Sequence, residues 1–108
     1  MILVGLLLCA ACGSEEAVMP ADEACGIYAN ARCDARDRCE AEAGVEPMVP
    51  DCRTVALERC CLTLECGDSG EASVSLLEAC ELEASEAVCF EGRPLIYRDA
   101  PSCMVLLR

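Results

Sequence analysis

Apolar residues are laid out along this chain in two contrasting ways. Residues 1–8, Met1-Ile2-Leu3-Val4-Gly5-Leu6-Leu7-Leu8, form a continuous apolar run, whereas beyond Gly13 apolar positions are interleaved with charge. The run falls well short of the about 20 residues a membrane-spanning helix needs. Its length suits the apolar region of a signal peptide that ends in small residues.

Past the run, residues 13–21 read as a short acidic tether. Asp22 is placed to cap a first helix reaching about Glu42, with Glu23 in its first turn and an Ala, Arg and Glu background that favours helix. Asp34–Arg38, Arg36–Glu40 and Arg38–Glu42 stand four apart, the spacing of a solvated helix face. Gly44, Pro47 and Pro50 break the pattern. Asp51 then caps a second helix to about Cys66, stopped by Gly67, and Gly67-Asp68-Ser69-Gly70 is a turn. Ser75 and Glu78 form a capping box for a third helix with Leu76, Leu77, Cys80 and Ala84 on one apolar face. Leu95-Ile96-Tyr97 and Met104 to Leu107 flank a turn and are candidate strands of a short C-terminal β-hairpin. The expected fold is mainly α: a disulfide-stapled antiparallel helical hairpin plus a third helix.

The staples come from twelve cysteines in 108 residues. Such density marks a disulfide scaffold and an oxidising compartment. With three aromatic residues (Tyr28, Phe90, Tyr97) and no Trp, the domain has few bulky core residues, so bridges worth about 2–4 kcal/mol each must carry much of its stability. Cys25, Cys33 and Cys39 are spaced eight then six, and Cys52, Cys60 and Cys66 repeat that spacing. On an ideal helix each trio falls within an arc of about 120°. Antiparallel packing across a short loop predicts Cys39–Cys52, Cys33–Cys60 and Cys25–Cys66, with the helices bent if all three form together. Cys61 points off that face toward the third helix. Cys80, Cys89 and Cys103 remain to pair with it and with one another.

Ala10-Ala11-Cys12 resembles the bacterial lipobox, which implies that Cys12 carries a lipid and becomes the first mature residue. Two features depart from that pattern: no Lys or Arg precedes the apolar run, and Cys9 occupies the usual Leu position. Plain secretion and a redox C-x-x-C at Cys9 and Cys12 are the competing readings; the redox motif lacks its βαβ setting. The expected division is a signal peptide over 1–11, a lipid anchor and tether over 12–21, and a cysteine-rich helical domain over 22–108. From Cys25 to Cys103 the spacing C-x7-C-x5-C, C-x7-C, C-x8-C and a late cysteine resembles small helical cysteine-rich lipoproteins of GC-rich bacteria. Cys61 and Cys66 have no counterpart in that pattern, so the resemblance implies that they pair with each other and that Cys25 reaches the third helix. It implies no activity.

Charge and chemistry narrow the function classes. Twenty acids against eight arginines, with no lysine, give a net charge of −12, which repels nucleic acid and anionic headgroups alike. The chain has no histidine, the usual general base and commonest metal ligand. Gly67-Asp68-Ser69-Gly70 matches a serine-protease nucleophile motif, but no histidine can accept the serine proton, so it reads as a turn. Cys60-Cys61 with Cys66 could start a thiolate metal site, yet Cys61 and Cys66 are the only pair in the domain at zinc-ligand spacing. Paired acids such as Glu81 and Glu83 are expected by chance in this composition. The expectation is an exported, lipid-anchored, disulfide-rich binding or envelope-structural module without catalytic activity or cofactor, meeting the membrane through its lipid. A periplasmic thiol-based store for copper or zinc is the alternative.

Overall fold

The computed structural model describes residues 16–47, 51–67 and 69–107. The expected signal peptide, Cys9, the Cys12 lipidation site, residues 12–15 of the anchor and tether, Pro50 and Asp68 of the predicted turn lie outside these residues.

A short strand β1 (Val18–Pro20) leads into α1 (Ala21–Ala43), followed by α2 (Cys52–Leu64), β2 (Glu71–Ser73), α3 (Val74–Ser85), β3 (Cys89–Phe90), β4 (Arg93–Pro94), α4 (Ile96–Asp99) and α5 (Pro101–Leu106). Among the described residues the fold is mainly helical, as expected. Its strands form two antiparallel pairs, β1 with β2 and β3 with β4. Residues before Asp22 join the fold, since Met19 faces Ala72 in the first pair.

Several helix ends differ from the sequence expectation. Pro20, at φ −58°, sets the start of α1, and Asp22 does not cap it. Its carboxylate instead accepts the Gly67 N–H at 2.9 Å, tying the start of α1 to the end of α2. Gly44, at φ +69°, ends α1; its N–H reaches Ala41 O and the Val45 N–H reaches Glu40 O, a Schellman closure. Asp51 makes no side-chain cap, and α2 stops at Glu65, not Gly67. The cause is local: a disulfide and a Cys66 N–H to Cys61 O hydrogen bond join the same two residues across the last turn. Glu65 takes the left-handed conformation that this closure requires.

Ser73, not Ser75, is the N-cap residue of α3 and accepts the Leu76 N–H, while both hydroxyls donate to Glu16. The hairpin lies earlier than expected, at 89–94, turning through Glu91 and Gly92, both at positive φ as a tight two-residue turn demands. Leu95-Ile96-Tyr97 and Met104 to Leu107 are mostly helical instead. Pro101 opens α5 at a position where its missing N–H costs nothing, and Glu83 accepts from both the backbone and hydroxyl of Ser102. Asp99 accepts the Val88 N–H. The Arg98 hydrogen bond, then the Val88 amide, hold the Asp99 carboxyl below its usual pKa. This link is therefore intact at neutral pH and weakens as the pH falls through that depressed value.

All ten cysteines from Cys25 onward are bridged: Cys25–Cys60, Cys33–Cys52, Cys39–Cys89, Cys61–Cys66 and Cys80–Cys103. The expected Cys39–Cys52, Cys33–Cys60 and Cys25–Cys66 pairs are each replaced. Helix length explains the shift, because α1 has 23 residues and α2 only 13. The eight-residue spacing of Cys25 and Cys33 matches that of Cys60 and Cys52, so these bridges form side by side. In that register Cys39 stands opposite Glu46, beyond α2, and Cys66 opposite Met19, before α1. Each must find its partner elsewhere. Cys61–Cys66 agrees with the family resemblance, but Cys25 joins α2 and it is Cys103 that meets the third helix.

The core is built from small residues. Ala24, Ala35, Ala72, Ala84, Ala87 and Ala100 pack with the buried sulfurs around Tyr28, Leu77, Ile96 and Leu106. Alanine faces let the helices approach closely enough for disulfides to span them. Close approach also fixes Gly70, whose carbonyl accepts the Ala21 N–H; a Cβ there would sit 2.1 Å from Leu64 O. Gly70→Ala should cost about 1–3 kcal/mol, read as a lowered midpoint in denaturant. Peptide mapping without reductant should recover Cys25–Cys60 and Cys33–Cys52; recovery of Cys39–Cys52 would overturn this helix register.

Candidate binding groove between α1 and α2

Tyr28, Arg32 and Arg36 stand four residues apart on α1 and so share one stripe of the helix. Facing them, α2 presents Cys52, Val55, Ala56, Arg59, Cys60 and Thr63, the three- and four-residue spacing of a single helix face. Tyr97 of α4 and Leu107 close one rim. Together they enclose a groove of about 280 Å³. A neighbouring cavity of about 250 Å³ shares Tyr28, Arg32, Tyr97 and Leu107, so the two meet around Arg32.

The groove's charge runs against that of the chain. Three of the eight arginines line it, and none of the acids among the described residues does. Arg32 donates to the Tyr28 hydroxyl at 2.9 Å and lies 6.0 Å from the Tyr97 ring centre, a cation–π distance. Burial opposes its charge, but Tyr28 and Tyr97 favour it, and the net direction of its pKa is upward. Arg36 faces the buried Glu40 at 3.7 Å. Arg59 is exposed, and among the described residues its guanidinium has no hydrogen-bond or ion-pair partner. Guanidinium groups do not give up protons in proteins, so this set cannot act as a general base; its chemistry is oxyanion recognition.

The residues singled out from sequence lie elsewhere or serve the frame. Cys25–Cys60 and Cys33–Cys52 join the groove's two walls, and Cys52 and Cys60 form part of its lining. The sulfurs of Cys25, Cys61 and Cys66 come within 4.8 Å of one another. All three are in disulfides, which are poor metal donors compared with thiolates. Ser69 is exposed on its turn, and Glu83 is committed to the start of α5. The charge run on α1 is more than a solvated face. Asp34 pairs with Arg53 of α2 instead of Arg38, while Arg38 donates to Ala87 O at 2.9 Å and lies 3.3 Å from the Cys89 sulfur.

Tyr28, Arg32, Arg59 and Tyr97 were not singled out as site residues from sequence. A signal existed in the four-residue spacing of Tyr28, Arg32 and Arg36, but the i,i+4 pairing of Arg36 with Glu40 masked it. Tyr28→Phe should keep the ring buried while removing the Arg32 hydrogen bond, at a cost of about 1 kcal/mol in denaturant titration. No protein-family model matches this chain, and comparisons with curated proteins and with solved structures find no match.

Proposed function

We propose that this chain is an exported, lipid-anchored binding module of a bacterial envelope, presenting the α1–α2 groove to a ligand without catalysing a reaction. The observation that carries this reading is that two disulfides join the walls of the groove. Walls held covalently are ordered before the ligand arrives, so binding pays little for arranging them. Five bridges also fit an oxidising compartment. Among the described residues no helix is long and apolar enough to cross a membrane. Attachment in this reading comes from the lipid at Cys12, supported by the apolar run ending Ala10-Ala11-Cys12. The net charge of −12 speaks against nucleic acid as the ligand.

A thiol store for copper or zinc is the second reading, favoured by the proximity of the Cys25, Cys61 and Cys66 sulfurs. It requires those sulfurs as thiolates. Expressed in a lipoprotein-processing bacterium, the protein should partition into detergent with acyl mass on Cys12, and Cys12→Ala should release it or leave it uncleaved. Its other mature cysteines should resist alkylation until reductant is added. A mature chain without acyl mass overturns the anchor; free thiols that bind Cu(I) stoichiometrically favour the store.

A further inference from the structure

Resting on the binding-module reading, the geometry points to a ligand class: we propose that the α1–α2 groove takes a small organic oxyanion, a carboxylate or phosphate monoester bearing a compact apolar group. Arg59 supplies a guanidinium with no partner among the described residues. Arg32 spends one nitrogen on Tyr28 and keeps further N–H donors, since a guanidinium carries five. Arg36 adds charge even though Glu40 offsets part of it, the 3.7 Å separation being longer than a hydrogen bond. Carboxylate and phosphate oxygens match the fork geometry of such groups.

The rest of the lining calls for an apolar portion. Val55, Tyr97 and Leu107 meet the same space, and the first two are left exposed despite the small core. A volume of about 280 Å³ falls just short of the roughly 300 Å³ at which small-molecule pockets begin, so only a compact ligand fits. Net charge selects against anything larger. At physiological salt charges are screened beyond about 8 Å, so an anion seated in the groove feels mainly its arginines. An extended polyanion or an anionic bilayer would also meet the acidic surface around them.

The chain's only two tyrosines both line the groove, so their ring resonances report occupancy directly. The oxidised mature protein should be titrated with benzoate, phenyl phosphate, inorganic phosphate, benzyl alcohol and phosphatidylglycerol vesicles, followed by tyrosine-ring NMR and calorimetry. Benzoate and phenyl phosphate should shift Tyr28 and Tyr97 together, and bind about tenfold or more tighter than benzyl alcohol or inorganic phosphate. Arg59→Gln should weaken both by about tenfold, whereas Arg98→Gln, outside the groove, should not. Among the described residues the exposed Arg59 side chain makes no hydrogen bond or ion pair, so its variant tests binding even if an Arg32 variant fails to fold.

Binding that survives Arg59→Gln, binding of vesicles alone, or no shift with either aromatic anion would overturn the proposal. Preference for benzyl alcohol would overturn the anion class while leaving a ligand groove. The lipidation and alkylation results are independent of every one of these outcomes.

Discussion

Two disulfides of matched spacing govern the rest of this structure. Cys25 and Cys33 are eight residues apart on α1, as Cys52 and Cys60 are on α2, so Cys25–Cys60 and Cys33–Cys52 hold the helices in one antiparallel register. One bridge would leave the pair free to pivot; two prevent it. The interface between them needs little bulk as a result. Ala29, Cys33 and Ala56 form a cluster with no large side chain, which would be a weak contact if apolar burial had to set the register alone.

The length mismatch between the two helices then decides where everything else goes. The C-terminal end of α1 projects past α2 and would be half-covered. The chain returns to cover it: Cys39–Cys89 fastens the first strand of the β-hairpin, and Arg38 to Ala87 the residues just before it, onto the projecting turns. Glu40 is buried there, at 6 % exposure, and Arg36 from the preceding turn offsets its charge. Arg36 thereby serves both the covered overhang and the groove, linking the packing of the C-terminal half to the electrostatics of the candidate site. At the opposite end, Cys80–Cys103 ties α3 to α5 and seats Ile96 and Leu106 beside Leu77 and Tyr28.

How much of this was legible in the sequence depends on whether a signal was local. The three main helices followed from helix formers, breakers and the apolar face of Leu77, Cys80 and Ala84, all of which act within a few residues. Cysteine density likewise announced a covalent frame. The pairing was not legible because it turns on where α2 begins and ends relative to α1. Sequence placed Cys66 inside α2, whereas the Cys61–Cys66 closure ends the helix before it. That removes Cys66 from the hairpin, and the eight-residue spacings then match each other across the pair. The groove was hidden for a related reason. Arg32 and Arg59 are 27 residues apart, and only the hairpin register brings them to one space.

Electrostatics gives that register its functional consequence. A chain with twelve more acids than bases has its surface potential dominated by repulsion between like charges, which keeps copies apart and opposes compaction. Concentrating three arginines along one groove creates a local minimum for an anion, but it also sets cations against one another. Arg32 relieves this through the Tyr28 oxygen and the Tyr97 face, and Arg36 through Glu40, so neither depends wholly on a ligand. Arg59 has no such relief among the described residues. It is the groove charge left with the most to gain when an anion arrives. The disulfides keep the walls from spreading to relieve the same repulsion, so the covalent frame preserves the charge pattern that makes the groove selective.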